Sequence, residues 1–386
     1  MITTAQKLPI HVAFFTGYIP PYALPVFEEI DRRVEKLTVL LSTQMEANRH
    51  WETDFGNLDI RVQKTWTHFS KWKHEVGFSD RKQTHVPWDT YWQIRDLKPD
   101  ILVSEELGYR SLFCGMYRAL FRSPPLLLVS NLSEHTEKGR GRLRLWLRQW
   151  LARRAAATTA NSKSGLRYLE SIGFSKDELF LFPYTMPQIG FEELPLQRSA
   201  SQSKHLICIS ELSQRKGIDK FIEGLHSWCT ENPNQNIALD LFGSGDQEAQ
   251  LKKLPTPANL KVKFNGHCDY EQVKAGIANS GILVFPTLAD EWGLVVNEAL
   301  AAGLPVLGSI YSQAVDELIE PGINGWVFDP VAGNLPKVLT QVFETPTEKI
   351  EQMRPQCRAS VAERTPEWAA ELFVTALRSV WESSHG

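Results

Sequence analysis

Short apolar runs alternate with longer amphipathic stretches along almost all of this 386-residue chain. In the first half, the runs that read as strands are 11–15, 37–41, 101–104, 126–129 and 180–182. In the second half they are 206–209, 237–241, 262–264, 282–285, 305–307 and 326–328, and helices fit between them at 216–230, 269–280 and 294–302. Such alternation is typical of βαβ units and parallel sheets, and it predicts the α/β class.

Between the two halves, at 187–204 (PQIGFEELPLQRSASQSK), periodicity is lost and the segment ends in small polar residues. Such a stretch is typical of a linker, and the length suggests two or three domains. We therefore expect two doubly wound α/β domains, 1–187 and 204–364, joined by a linker at 188–203. Open sheets of this kind bind ligands beyond the carboxyl ends of their strands, so a cleft between the domains is the expected site.

Composition excludes several classes of protein. Hydrophobic residues make up 42% of the chain and charged residues 23%, as in ordinary globular proteins. The net charge of -3 argues against a general nucleic-acid binder. We find no apolar run near the roughly 18 residues of a membrane span and no signal-peptide pattern at the N-terminus. The five cysteines, Cys114, Cys208, Cys229, Cys268 and Cys357, form no C-x-x-C pair, which predicts free buried thiols in a reducing cytoplasm.

Tryptophan is concentrated in a stretch at about 43–92, which departs from the alternating pattern. Five of the twelve tryptophans lie there, Trp51, Trp66, Trp72, Trp88 and Trp92, interleaved with His50, His68, His74 and His85. One interpretation is an inserted subdomain whose aromatic rings pack on one another. The other is an acceptor surface, since aromatic faces pack on the C–H faces of pyranose sugars.

The segment 285–308 (FPTLADEWGLVVNEALAAGLPVLG) is the most informative stretch of the chain. A strand leads into a polar loop that carries Asp290 and Glu291, Gly293 allows close backbone approach, and a helix follows. The free N–H groups at such a helix start favour an anion. Glu298 lies further along the helix, where it suits an acceptor of hydroxyl hydrogen bonds. A residue that only caps or pairs on the helix is the alternative.

Residues 290–305 (DEWGLVVNEALAAGLP) resemble the E-x7-E signature of the family 4 retaining glycosyltransferases. Asp290 stands at the first acidic position, a conservative departure, and Glu298 stands at the second. LFGSGD (241–246), FNGH (264–267) and AVDELIEPGING (314–325) resemble neighbouring motifs of the same family. The resemblance implies the GT-B architecture, in which two Rossmann-like doubly wound domains face a central cleft and the C-terminal one holds a nucleotide sugar.

The resemblance also implies roles for individual residues. Glu298 accepts hydrogen bonds from the ribose hydroxyls, Asp290 faces the hydroxyls of the transferred sugar, and the N–H groups near Gly293 and Leu294 meet the phosphate. The further positions that the matched motifs place at the donor are Gly243, Gly245, His267, Glu291, Trp292 and Val295.

Residues 209–217 (ISELSQRKG) resemble the family's cationic donor loop, in which an Arg and a Lys neutralise the pyrophosphate. Lys216 matches the Lys, whereas Glu211 stands where the Arg is expected. A carboxylate cannot clamp a diphosphate, and Arg215 is the candidate replacement because guanidinium groups match phosphate oxygens. A solvated Arg215 at the helix start is the alternative.

The N-terminal half offers fewer candidates. Gly17 lies in the loop after the first strand, where the family often has a glycine-rich loop that faces the donor phosphates. His135 is the nearest counterpart of a His that family members place near the sugar. Glu105 and Glu106, at the end of the strand 101–104, are alternatives.

A very basic segment, 140–154 (RGRLRLWLRQWLARR), carries six arginines: Arg140, Arg142, Arg144, Arg148, Arg153 and Arg154. Leu143, Trp146, Leu147, Trp150 and Leu151 form one apolar stripe at helical spacing. A helix of this type lies on an anionic membrane. An ordinary core-facing helix with a solvated basic back has the same pattern.

Together these features predict a retaining, metal-independent hexosyltransferase that moves a sugar from a UDP-hexose such as UDP-glucose to a glycan or lipid-linked glycan of the cell envelope or an exopolysaccharide. Lys216, Asp290 and His135 are the expected catalytic residues. We expect no metal and no cofactor besides the nucleotide-sugar co-substrate. We expect a cytoplasmic location that includes the inner membrane face. We also expect a C-terminal helix, 365–386, that crosses back to the N-terminal domain. A catalytically decayed sugar-nucleotide-binding or scaffolding relative is the alternative. A nicotinamide dehydrogenase is disfavoured, because no G-x-G-x-x-G follows the first strand.

Overall fold

The computed structural model describes residues 7–45, 54–185 and 190–385. The chain divides into two compact units. The first contains 1–72, 81–187 and 364–386, and the second contains 73–80 and 188–363. Trp51, His50 and positions 186–189 of the expected interdomain stretch lie outside the described residues.

The first unit is built on a seven-stranded parallel sheet, in the order β3-β2-β1-β6-β7-β8-β9. Its central strands are apolar on both faces because helices cover both sides. A separate two-stranded hairpin, β4-β5, follows β3. The strands are β1 (Leu8–Thr16), β2 (Val34–Leu41), β3 (Asp59–Val62), β4 (Thr65–Lys73), β5 (Ser79–Pro87), β6 (Ile101–Glu105), β7 (Leu126–Ser130), β8 (Ala157–Ala160) and β9 (Leu179–Leu181).

Two apolar cores cover the faces of this sheet. On one face α1 and α13 pack, and Phe373 of α13 contacts the rings of Phe14 and Phe182. On the other face α2 to α5 contribute Ile94, Cys114, Leu151 and Leu169. The helices are α1 (Leu24–Arg33), α2 (Thr90–Leu97), α3 (Tyr109–Phe121), α4 (Arg142–Ala152), α5 (Lys163–Ile172) and, from the C-terminal end of the chain, α13 (Pro366–His385).

The second unit has a six-stranded parallel sheet in the order β12-β11-β10-β13-β14-β15. Its strands are β10 (Leu206–Ile209), β11 (Ile237–Phe242), β12 (Leu260–Phe264), β13 (Ile282–Phe285), β14 (Val306–Ser309) and β15 (Gly325–Phe328). Its helices are α6 (Ile218–Glu231), α7 (Glu248–Leu251), α8 (Tyr270–Ala278), α9 (Leu294–Ala301), α10 (Gln313–Leu318), α11 (Leu335–Glu344) and α12 (Thr347–Val361). Within the described ranges, no helix is long and apolar enough to span a membrane.

The expected linker is packed into the second unit over its described part. Phe191 is fully buried, and the buried Arg198 donates from Nε to the carbonyl of Ser280 at 3.0 Å. An aperiodic sequence therefore does not imply a free segment here. Glu351 and Arg358 hold it as well, since Glu351 accepts from the Arg198 N–H at 3.3 Å and Arg358 donates to the Leu194 carbonyl at 2.8 Å. Of the five cysteines, four are buried and Cys268 is half-buried, and all are free.

Aromatic rings of the Trp-rich stretch pack on one another, as one interpretation predicts, but several of them stay exposed. Its β3 is an edge strand of the main sheet, whereas Trp66 and Trp92 are 69% and 60% exposed. Trp88 lies between them, with ring centroids 6.4 Å from Trp66 and 6.5 Å from Trp92. Trp72 instead stacks with the guanidinium of Arg140 at 3.4 Å.

Helix α4 matches neither interpretation of the basic segment completely. Leu151 at its C-terminal end is buried, but Leu143 and Trp146 near its start are exposed. Arg148 is buried in an ion pair with Glu137, although a solvated basic back was expected. Glu137 lies in the turn before the helix, so the sequence pattern of α4 alone could not identify this pairing.

Candidate active site

Two loops of the second unit meet because of its strand order. The order reverses between β10 and β13, and crevices of doubly wound sheets open beside such a point, at the carboxyl ends of the strands. The chain leaves β10 into residues 210–217 and leaves β13 into residues 286–293. Lys216 and Asp290, 74 positions apart in the sequence, are brought together in this way.

An ion pair with a second cation beside it lies at the centre of this site. Lys216 Nζ donates to Asp290 Oδ2, and both side chains are only 13% exposed. Arg215 Nη1 lies 3.6 Å from the same carboxylate oxygen and donates to the carbonyl of Ala289 at 3.0 Å. Arg215 is therefore not a solvated residue at the helix start but part of a Lys216–Asp290–Arg215 cluster.

Burial and the neighbouring charges shift the pKa of both partners. Burial lowers the pKa of Lys216, with a smaller contribution from Arg215, although Asp290 opposes the shift. Burial alone would raise the pKa of Asp290, but the charges of Lys216 and Arg215 outweigh it and hold that pKa below its usual range. Asp290 is thus an ionised partner of two cations, so it is already engaged by protein groups rather than directed freely toward a sugar hydroxyl.

Backbone hydrogen bonds hold the two loops against each other. The N–H of Leu288 donates to the carbonyl of Arg215 at 2.8 Å, and the Thr287 hydroxyl approaches the same carbonyl at 3.3 Å. The N–H of Asp290 donates to the carbonyl of Tyr311 at 3.0 Å. These contacts fix the positions of the charged side chains before any ligand arrives.

The helix that follows Asp290 begins at a glycine that no other residue could replace easily. Gly293 has φ +105°, and a Cβ there would lie 2.5 Å from the Phe285 ring. Because α9 starts at Leu294, the N–H groups of Leu294 and Val295 precede the first internal helix bonds and suit an anion. Trp292 is 3% exposed, and its indole N–H donates to Asn297 Oδ1 at 2.8 Å. Its side chain therefore anchors the loop rather than lining an open donor site.

Glu298 lies one turn into α9 and is half-buried. Burial raises the pKa of Glu298 to about 7. Among the described residues, its carboxylate has no hydrogen-bond donor and no ion-pair partner, so the capping or pairing alternative is not what the structure shows. A half-buried carboxylate that lacks protein donors can accept hydrogen bonds from ligand hydroxyls.

The remaining donor residues expected from the motifs differ in their surroundings. A Cβ on Gly243 would lie 2.0 Å from the carbonyl oxygen of Ser210, and one on Gly245 would lie 2.4 Å from that of Leu212. Both glycines thus allow their turn to pack on the loop that carries Lys216. His267 and Glu291 are exposed.

A second polar cluster lies at the equivalent point of the first unit, where the strand order reverses between β1 and β6. The Thr16 hydroxyl donates to Glu105 Oε2, and Asn131 donates to Glu105 Oε1 at 3.1 Å. Burial raises the pKa of Glu105, and these two hydrogen bonds oppose the shift. A Cβ on Gly17 would lie 3.6 Å from the Arg110 guanidinium.

Sequence reasoning identified Gly17 and Glu105 here but missed Arg110, Thr16 and Asn131. The useful signal was topological, since the residues that follow β1, β6 and β7 must share one edge of a parallel sheet. His135 lies in the turn after β7 and is half-buried, and the adjacent Glu134 pairs with Arg167 at 2.9 Å. The two hydrogen bonds to Glu105 described above come from Thr16 and Asn131, not from His135.

Most of the second unit is similar to a known protein family. Residues 192–359 match the family described as glycosyl transferases group 1. The chain is 24% identical over 200 residues to the GtfA subunit of UDP-N-acetylglucosamine–peptide N-acetylglucosaminyltransferase from Streptococcus gordonii. This match covers 51% of this chain and 38% of the relative. The chain is also 26% identical over 185 residues to a GDP-mannose-dependent monoacylated alpha-(1-6)-phosphatidylinositol monomannoside mannosyltransferase from Corynebacterium glutamicum. That match covers 46% of this chain and 47% of the relative. The matches thus span less than half of these relatives.

The likeness in three dimensions extends over nearly the whole chain. The structure of Anabaena Alr3699/HepE in complex with UDP and glucose superimposes with a TM-score of 0.66 at 15% identity, and the match covers 96% of this chain and 100% of that one. At this identity the likeness shows the fold alone. The fold is GT-B, with two Rossmann-like units.

Proposed function

We propose that this chain, whose residues 192–359 match the glycosyl transferases group 1, is an active retaining glycosyltransferase that uses a UDP-hexose such as UDP-glucose. The observation that carries the proposal is the Lys216–Asp290–Arg215 cluster beside the start of α9, with Glu298 one turn further on. Cations and free helix N–H groups suit a diphosphate, and an unpartnered carboxylate suits a ribose. The choice of UDP is supported by the UDP complex of the Anabaena protein with the same fold.

Transfer with retention needs few protein groups besides these. The bond between the anomeric carbon and the diphosphate oxygen breaks, and its electron pair stays on that oxygen. The acceptor hydroxyl oxygen then bonds to the same face of the anomeric carbon, and its proton passes to the departing phosphate oxygen. The protein's contribution is electrostatic: Lys216 and Arg215 stabilise the charge that develops on the diphosphate.

We assign this neutralisation to Lys216 and Arg215 rather than to a metal ion. Arg215 takes the place of the family Arg, because Glu211 occupies that position and its side chain is exposed. The paired Asp290 reduces the net charge of the cluster in the free enzyme. A bound diphosphate therefore competes with Asp290 for both cations.

The first unit holds the acceptor in this proposal. Gly17, Glu105 and Arg110 lie at its sheet edge, where the family resemblance places the loop that faces the donor, and His135 remains a candidate to face the sugar. The acceptor is a hydroxyl of a cell-envelope or exopolysaccharide glycan, free or lipid-linked. We place the reaction in the cytoplasm, at the inner face of the membrane.

A panel of UDP-, GDP- and ADP-sugars tests the donor class by thermal stabilisation of the purified protein. A true donor at 100 times its dissociation constant should add about 2.7 kcal/mol to the free energy of unfolding. The best donor should then be transferred, or slowly hydrolysed, with the anomeric configuration retained, as measured by NMR. Stabilisation without any turnover would favour the decayed relative, and stabilisation by none of the sugars would refute the donor site.

A further inference from the structure

An apolar stripe on α3 faces solvent. Tyr109, Phe113, Met116 and Leu120 recur at i, i+4, i+7 and i+11, which places them on one side of the helix. Leu120 is 71% exposed and Met116 is 46% exposed, whereas Cys114 on the opposite side is fully buried. The stripe is thus not the side on which α3 packs against the sheet.

The neighbouring helix adds its own exposed apolar residues. Leu143 and Trp146 of α4 are 79% and 56% exposed. The two helices pack closely through Gly115, where an added Cβ would lie 2.9 Å from the Trp150 ring and 3.0 Å from Leu151. We call the exposed side of these two helices the α3–α4 face.

The charge of the surrounding segment is strongly one-sided. Residues 107–169 contain twelve Lys and Arg but only two acidic residues, Glu134 and Glu137, in a chain whose net charge is -3. Both acids are engaged, since Glu134 pairs with Arg167 at 2.9 Å and Glu137 is buried against Arg148. Their charges are therefore largely neutralised locally, and the cationic character of this region remains.

Three of the six arginines in the basic segment are engaged by Glu137. Arg140 and Arg144 each lie 3.9 Å from Glu137, and Arg148 is buried. Arg142 at the start of α4 and Arg153 just after its end, in contrast, are exposed and have no carboxylate partner among the described residues.

We propose that the α3–α4 face docks the protein on an anionic lipid bilayer, with Leu143 and Trp146 entering the headgroup region and Arg142 and Arg153 meeting lipid phosphates. Exposed Trp and Leu next to unpaired arginines suit that interface, where apolar burial and attraction to anionic lipid act together. A second copy of this chain is a poorer partner, because two such cationic faces repel each other. The inference deepens the peripheral location in the proposed function and rests on it only for the choice of leaflet.

Co-sedimentation of the purified full chain with lipid vesicles tests the proposal. We expect binding to vesicles of equal parts phosphatidylcholine and phosphatidylglycerol, little binding to pure phosphatidylcholine, and loss of binding at high salt. Arg142→Gln with Arg153→Gln should weaken binding by roughly fivefold per residue. Leu143→Gln with Trp146→Gln should weaken it by roughly tenfold or more.

Matched controls come from exposed residues elsewhere. Val331→Gln, at a side chain 50% exposed in the second unit, and Arg378→Gln on α13 should leave vesicle binding unchanged. Equal losses in these controls, or equal wild-type binding to neutral and anionic vesicles, would overturn the proposal. The proposal would also be overturned if the wild type were a dimer that does not bind vesicles and if Trp146→Gln made it a monomer. Thermal stabilisation by UDP-glucose should be the same in all variants. A wild type that UDP-glucose does not stabilise would therefore refute the proposed donor site without affecting the test of membrane binding.

Discussion

The affinity for the donor should depend on pH through Glu298. In the free protein burial raises the pKa of this carboxyl to about 7, so it is about half protonated at pH 7. Ribose hydroxyls that donate to it favour the ionised form and lower its pKa on binding. If binding restores the ordinary value of 4.5, donor binding releases about half a proton at pH 7 and the dissociation constant rises roughly tenfold between pH 8 and pH 6.

The direction follows from the sign of the shift. A carboxyl whose pKa is raised in the free state must lose its proton to bind, so affinity is fully present above pH 7 and is lost as the pH falls through it. UDP-glucose is the suitable ligand because it lacks a terminal phosphate monoester, whose own pKa of about 6 would obscure the effect. Calorimetry at pH 6, 7 and 8, in two buffers of different ionisation enthalpy, measures both the affinity and the protons released.

Glu298→Gln is the decisive variant. It keeps the shape of the side chain but cannot ionise, so its dissociation constant should be flat over this range. At pH 8 it should bind roughly ten- to a hundredfold more weakly than the wild type, on the scale of a hydrogen bond to a charged group, with a smaller change in kcat. His267→Gln is the control, because it removes an exposed imidazole from the same unit and leaves Glu298 in place. A Glu298→Gln protein that keeps the full pH dependence would refute the reasoning.

Further outcomes are expected at other residues. Lys216→Ala should lower kcat by roughly a hundredfold in steady-state assays, as for the loss of one oxyanion donor; an unchanged kcat would mean that the donor site is misplaced. Arg215→Ala should also depress kcat if Arg215 replaces the absent family Arg. An unchanged kcat in this variant would mean that another residue supplies that positive charge. Excess chelator should change kcat for the best donor by no more than about twofold. A complete loss of activity that magnesium restores would refute the metal-free assignment. Arg148→Met should lower the free energy of unfolding by about 3 kcal/mol in urea titrations, because it leaves Glu137 buried without its main partner; a change below about 1 kcal/mol would show that Arg140 and Arg144 suffice.

The second unit was largely predictable from the sequence. Each of its six strands was located, because central strands such as β13 are buried on both faces and read as continuous apolar runs, whereas the edge strand β12 alternates apolar and lysine residues. In the first unit, β8 was missed because its residues, ATTA, are small and half of them are polar although the strand is buried. The strand β4 was missed because it alternates aromatic and polar residues and is mostly exposed.

The site residues were predictable one by one but not as an arrangement. The resemblance pointed to Lys216, Asp290 and Glu298 separately, yet the ion pair between the first two depends on loops that only the strand order brings together. The partner of Arg148 lies in a turn outside the helical repeat, so no periodicity could reveal it. Long-range pairs of this kind belong to the tertiary structure and not to any local pattern.

The position of α13 has a consequence for how the protein is made. Its residues Phe373 and Leu377 complete a core whose other members, such as Phe14 and Phe27, lie near the start of the chain. On the ribosome, the part of this face that α13 covers stays exposed while the whole second unit is synthesised, about 10–40 s at ordinary elongation rates. The second unit can therefore fold first, while the core of the first unit stays incomplete until α13 emerges.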